Sequence, residues 1–245
     1  MKVLFLCTAH NSLSQRLSLD LTADGHDVSV ELALSDAAMI AGVELFDPDI
    51  VICPFLTTRV PTQIYNKVLT LIMHPGPPGD AGPSAIDWLL MGDDGTIDEA
   101  AEVLRALDSS NDVLPGRSHW GITVFAAIEA FDAGPVWAFE QFPIDIDHPG
   151  LTKSSLYRGP ITRAVVVAVR CALTRVHAAA GLRRLSIGKS ITPYSPDLRP
   201  QPAFGSLSVT HNLPFQGGKT RRCLRYPLHG LRCFAFPVVP ADQQI

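Results

Sequence analysis

The sequence predicts an α/β protein, a parallel, doubly wound sheet with an antiparallel C-terminal extension. Two observations carry this prediction. Between residues 2 and 73, four apolar runs of strand character alternate with helical patterns across short connections. That alternation folds as parallel strands joined by right-handed crossovers. Residues 119–143 then hold two β-rich runs separated by the tight turn AFDAGP, the pattern of an antiparallel hairpin. A chain of 245 residues, 47% apolar and 18% charged, has the length and composition to bury such a core.

The elements follow in order. Residues 2–7, KVLFLC, read as a central buried strand. The polar turn after it ends in Asn11 and Ser12, either of which can cap a helix over residues 12–25. Leu13, Leu17, Leu19 and Leu21 are expected on its apolar side, with Gly25 as its terminator. Residues 27–34 form a second strand, Ser35 caps a helix to residue 46, and residues 49–53 form a third strand. A loop over 54–60 and a short helical piece over 61–66 lead to a fourth strand, 68–73. That strand stops at His74, and the loop PGPPGDAGP is too rich in proline and glycine for regular structure. SAIDWLL then turns apolar at helical spacing behind Ser84, a good N-cap residue.

Residues 91–119 are acidic and read as a surface insertion with one amphipathic helix near 97–107. The hairpin strands are expected over 121–128 and 135–143, extending the sheet at its edge. Residues 152–180 carry the longest helical pattern, started by Thr152 or Ser154 and closed by Gly181, with Pro160 near its first turns. A domain over residues 1–190 is expected, followed by a Pro/Gly-rich linker and a poorly ordered terminus over 191–245.

The net charge of −4 is uneven, −8 over the first 199 residues and +4 from Pro200 onward. It argues against a nucleic-acid surface. Cys7, Cys53, Cys171, Cys223 and Cys233 show neither CxxC nor Cys/His ligand spacing, so free thiols and no metal site are expected. No run of 18 apolar residues and no signal-peptide cleavage site occurs, so no membrane partner and a cytoplasmic location are expected.

In open α/β sheets, ligands bind beyond the C-terminal ends of the strands. His74 stands at such an end, as a catalytic residue or as a structural histidine in a turn. The first strand-to-helix turn, CTAHNSLSQ, has no glycine. A dinucleotide pyrophosphate needs close backbone approach there, so a dinucleotide oxidoreductase is disfavoured. Asn11, Ser12 and Gln15 can hold an anionic or polar substrate group at the helix N-terminus, or simply cap it. QGGK at 216–219 does not satisfy the phosphate-loop pattern.

Four blocks occur in order: HNSLSQRL, MHPGPPGDAGPSAIDWLL, HWGITV with FDAGPVWA, and TKSSLYRGPITRA. Together they resemble the N-terminal module of the hydrogenase-maturation formyltransferase/enoyl-hydratase-like proteins of the HoxX/HypX type, over about residues 1–190. These proteins fall within the formyltetrahydrofolate formyltransferase superfamily.

The resemblance implies a Rossmann-like formyltransferase fold and 10-formyltetrahydrofolate as formyl donor. The wider superfamily pairs an Asn-x-His at the end of the fourth strand with a later Asp in a D-x-G turn. The matching positions are His74 and Asp132, the latter followed by Gly134. Ile72 stands at the Asn position and Ala81 at that of a loop arginine. A missing oxyanion donor is worth about 10²–10³ in rate. The resemblance therefore implies either His74 and Asp132 as catalytic pair or a non-catalytic folate-binding or assembly module. Asp132 read by itself is an ordinary turn aspartate.

Pro54, Phe55, Leu56, Ala130, Phe131 and Gly134 are implied to line the folate site, with Phe125 as a wall or as core. The formyl acceptor stays open among water, coenzyme A and another nucleophile. Relatives continue into a hydratase-like module and are thought to serve carbon monoxide supply to nickel–iron hydrogenase. This chain is too short to hold that module. The resemblance ends near Arg222, which raises the expectation of a shifted reading frame or a mis-spliced gene beyond it.

Overall fold

A computed structural model describes residues 1–82, 85–91, 117–146, 148–185 and 199–200. The expected helix near 97–107 and the Ser84 cap lie outside the described residues, and so do the linker and terminus over 191–245 apart from Arg199–Pro200. The chain runs β1 (Lys2–Cys7), α1 (Ser12–Ala23), β2 (Asp27–Leu32), α2 (Asp36–Phe46), β3 (Ile50–Pro54), α3 (Thr62–Tyr65) and β4 (Thr70–His74). It continues through β5 (Asp80–Ala81), α4 (Ala85–Met91), β6 (His119–Ala126), β7 (Val136–Pro143), α5 (Lys153–Leu156), a π-helical turn (Tyr157–Ile161), α6 (Thr162–Leu185) and β8 (Arg199–Pro200).

Six strands form one sheet in the order β2-β1-β3-β4-β6-β7. The pairs β1–β2, β1–β3 and β3–β4 are parallel, whereas β4–β6 and β6–β7 are antiparallel. β5 and β8 pair separately, Asp80 with Arg199 and Ala81 with Pro200. The fold class is thus the one the sequence predicts, mostly parallel with an antiparallel C-terminal side.

Two apolar layers cover the sheet. On one face, Leu13, Leu17 and Leu21 of α1 and Ala164, Val165, Ala168, Val169 and Ala172 of α6 pack on Val3, Phe5, Ile52, Leu71 and Met73. On the other, Met39 and Val43 of α2 and Ile64 of α3 pack on Leu4, Leu6, Val51 and Cys53. Alternating strand residues feed the two layers, as the twofold period of a strand requires.

Several boundaries differ from expectation for identifiable reasons. Leu19 does not join the apolar side of α1 and is exposed. It is two residues from both Leu17 and Leu21, about half a helical turn out of phase with them. Gly25 adopts φ +85°, the left-handed value expected after a helix end. β2 ends at Leu32, short of residue 34, and β4 reaches His74, one residue beyond the expected strand. Asn11 and Ser35 cap α1 and α2 by accepting backbone N–H groups. The expected single helix over 152–180 is broken. Thr152 and Ser155 form a reciprocal capping box, Gly159 is non-helical, and Pro160 interrupts the hydrogen-bond ladder. Gly181 does not close the last helix, which runs on to Leu185. Among the described residues, no helix is long and apolar enough to cross a membrane.

Candidate active site

The sheet changes from parallel to antiparallel between β4 and β6, and His74 sits there, paired in register with Thr123. The residues after it are pinned from β6. Trp120 Nε1 donates to the Pro75 carbonyl at 2.8 Å, and Thr123 Oγ1 donates to the Gly76 carbonyl at 2.7 Å. These bonds satisfy two carbonyls of the segment between β4 and β5, which belongs to neither strand. Gly79 and Gly82 take φ of +93° and +104°, which turn the chain back over the strand end.

That turn brings Asp80 onto the imidazole. Asp80 Oδ2 lies 2.8 Å from His74 Nε2, with His74 5% and Asp80 7% exposed. Asp80 Oδ1 is buried without a hydrogen-bond partner among the described residues. The other ring nitrogen, Nδ1, lies 3.8 Å from Asp132 Oδ2. Asp132 occupies the hairpin turn at φ +51°, a left-handed conformation that aspartate tolerates. Its Oδ2 accepts the Gly82 N–H at 2.8 Å, joining the turn to the loop after β4. Gly134 closes the turn, where a Cβ would lie 1.6 Å from the Ala126 carbonyl oxygen.

His74 and Asp132 are thus brought together, and Asp80, in sequence only one residue of a proline- and glycine-rich loop, joins them. A signal for it was present: Asp80 is the single acidic residue of the loop and lies six positions after the histidine. Ile72 shares a strand face with His74 and packs into the apolar layer of Leu4, Leu6 and Cys53. It offers no polar group beside the imidazole.

Of the expected folate-lining residues, Pro54 ends β3 buried beside β4, paired with Met73. Phe55 follows at φ +49°, its ring edge-on to Tyr157 with centroids 5.8 Å apart. Burial pushes the Tyr157 hydroxyl up to about 12, with the charge of Asp87 acting in the same direction, so this wall stays uncharged. Leu56 is half-buried against the second apolar layer. Phe125 is buried, with its ring 6.4 Å from that of His74. Ala130 and Phe131 are exposed at the turn, and the Arg59 guanidinium lies 4.9 Å from the Phe131 ring.

The residues at the end of β1 are occupied locally. Asn11 Oδ1 accepts the N–H groups of Leu13 and Ser14, Gln15 Nε2 donates to the His10 carbonyl, and Ser12 opens α1 exposed. Among the described residues no hydrogen bond joins these three to His74 or Asp132. Thr8 and Thr57 link the β1 and β3 loops at 3.0 Å. Burial pushes the Cys7 thiol up to about 11 and the Cys53 thiol further up, so both remain protonated core groups.

Chemically, the arrangement is a buried imidazole with a carboxylate on each side, at the sheet edge where ligands gather. A base with an orienting carboxylate serves proton transfer in acyl-transfer chemistry. Among the described residues, no group of His, Cys, Asp and Glu is suited to hold a metal ion.

Comparison with known proteins bears on that chemistry. No family profile matches the chain. Hydrogenase maturation factor HoxX of Bradyrhizobium diazoefficiens is 39% identical over 178 residues, which is 73% of this chain and 27% of HoxX. HypX from Aquifex aeolicus, crystallised in complex with tetrahydrofolic acid, matches at 33% identity with a TM-score of 0.68, covering 92% of this chain and 33% of HypX. The chain therefore spans about a quarter to a third of the length of these relatives. A sugar N-formyltransferase from a Shewanella species shares only 15% identity but superposes with a TM-score of 0.56 over 92% of this chain and 87% of its own, which shows the formyltransferase fold.

Proposed function

From the premise that the chain is a homologue of the HoxX/HypX hydrogenase maturation factors, we propose that it is a formyltransferase module that uses 10-formyltetrahydrofolate as formyl donor. The observation that carries the reading is His74, buried at the C-terminal end of β4 with Asp80 Oδ2 2.8 Å from Nε2 and Asp132 Oδ2 3.8 Å from Nδ1. The HypX relative that binds tetrahydrofolic acid supports the choice of donor.

The residues present suit such a donor. Phe125, whose ring lies 6.4 Å from that of His74, and the edge-on pair Phe55 and Tyr157 would supply apolar walls for a planar carrier, with Pro54, Leu56, Ala130, Phe131 and Gly134 as further lining residues. When bound, the donor supplies an activated formyl carbon. His74 takes the proton from the attacking group and Asp132 steadies the charge that results. Acceptors for the formyl group include coenzyme A and water, and its onward use is the carbon monoxide ligand of a nickel–iron hydrogenase. A second reading, a folate-binding module without transfer, is favoured by Ile72, which brings only carbon to the face beside His74.

Two measurements separate the readings. Isothermal titration with a hydrolytically stable folate analogue is expected to show saturable binding, and its absence refutes both. Release of tetrahydrofolate from the formylated donor is expected to fall by about 10²–10⁴ in His74→Ala. Equal rates in wild type, His74→Ala and Asp132→Asn refute catalysis and leave the binding module.

A further inference from the structure

We infer that Asp80 is the positioning residue of His74, and that it fixes the tautomer in which Nδ1 is the nitrogen free to accept a proton. The inference rests on the formyl-transfer reading for its use, but on geometry for its content. An ionised carboxylate only accepts hydrogen bonds. At 2.8 Å from Asp80 Oδ2, His74 Nε2 therefore carries the ring proton. Nδ1 lies 3.8 Å from Asp132 Oδ2, too far for a hydrogen bond, and that oxygen already accepts the Gly82 N–H. Neutral His74 thus keeps its lone pair on Nδ1, beside a second acceptor. Two acceptors converging at that spacing leave room for one donor between them, the place for the O–H or N–H of an attacking group.

The surroundings are built to hold this pair. Gly76 lies directly under it: a Cβ there would meet Asp80 Oδ2 at 2.3 Å and His74 Nε2 at 2.6 Å. Asp80 is fixed by its backbone in the β5–β8 pairing and by the turn in which its N–H donates to the Pro77 carbonyl. Asp132, at the opposite nitrogen, stands on a separate hairpin. The two carboxylates therefore have different tasks. In transfer, the bond from the attacking atom to the formyl carbon forms as its proton moves to Nδ1, and the same proton is returned to the leaving amine as the old bond to that carbon breaks. Nε2 keeps its proton throughout, donating it to Asp80 Oδ2, and imidazolium is formed between two carboxylates.

The test is a long-range ¹H–¹⁵N correlation spectrum of the full chain, labelled at histidine and free of folate, recorded above the titration midpoint of His74. The expected result is a protonated, pyrrole-like Nε2 and an unprotonated, pyridine-like Nδ1. In Asp80→Ala the two nitrogens are expected to average toward a tautomer mixture, whereas Asp132→Asn keeps the wild-type pattern. A wild-type Nδ1–H tautomer overturns the inference, and so does an Asp80→Ala spectrum identical to wild type. The wild-type spectrum decides by itself if Asp80→Ala does not fold. In turnover of the formyl donor, Asp80→Ala is expected to lower kcat by about 10²-fold or more at unchanged KM, and an unchanged kcat overturns the inference. A wild-type chain that never turns over the donor refutes the formyl-transfer reading alone, because the spectrum needs no folate.

Discussion

Replacing Gly76 with alanine adds one methyl group at the most crowded point of the site. Its Cβ would lie 2.3 Å from Asp80 Oδ2, 2.6 Å from His74 Nε2 and 2.8 Å from His74 Cδ2. The φ of Gly76 is not among the positive values, so the penalty comes from contact and not from backbone strain. Ends of side chains can usually swing away from such a methyl. Here the two ends are bonded to each other in a buried place, so the cheapest relief separates them. A hydrogen bond to a charged group contributes about 1.5–3 kcal/mol, and overpacking costs about 1–3 kcal/mol. A loss of about 2–4 kcal/mol is expected, since relief of one part exposes the other. In urea this moves the unfolding midpoint down by about 1–2 M. Gly150→Ala is the control, because its nearest neighbour is the exposed His148 ring at 3.2 Å, and a change within about 0.5 kcal/mol is expected. If Gly76→Ala matches Gly150→Ala in urea and retains the His74 ring spectrum, the reasoning from close packing fails.

Other perturbations probe the frame around the site. Thr123→Val removes the hydroxyl that serves the buried Gly76 carbonyl, and a loss of about 1–3 kcal/mol in denaturant titration is expected. Asn11→Ala removes the acceptor for two N–H groups of α1, with an expected cost of about 1 kcal/mol and no loss of folate binding. Burial holds the His26 imidazole below its usual value, helped by the chain amino group and His177, with Asp24 opposing. The unfolded chain then binds the proton more readily, so stability falls as the pH drops through the ordinary histidine value of about 6.5 toward the lower folded one. A His26→Gln variant is expected to show a shallower decline over that window in thermal melts at stepped pH.

What the sequence disclosed follows physical lines. β1, the Ser35 cap and the α1 cap, narrowed to Asn11 or Ser12, are legible because each depends on neighbouring residues. Leu19 departs from expectation because apolar character does not by itself fix angular phase on a helix, and exposed leucines are common. The break at Gly159 and Pro160 was masked by the strong apolar pattern around it. At the site, His74 is marked as a candidate by its place at a strand end, and Asp132 by the motif resemblance. Asp80 is not, because its role comes from two left-handed glycines that fold the loop back onto the strand end. A proline- and glycine-rich segment reads as a spacer until its turns are known. Gly76 was equally hidden, since its demand arises from the side chains above it.

The two carboxylates also differ in the order of their assembly. Asp80 meets His74 across a sequence separation of six, whereas the Gly82–Asp132 bond spans fifty. Closing a longer loop costs more entropy and delays contact formation during folding. In a refolding reaction, the imidazole can therefore find Asp80 as soon as the loop after β4 turns back. Its second partner must wait until the distant hairpin has crossed to β4 and settled in register.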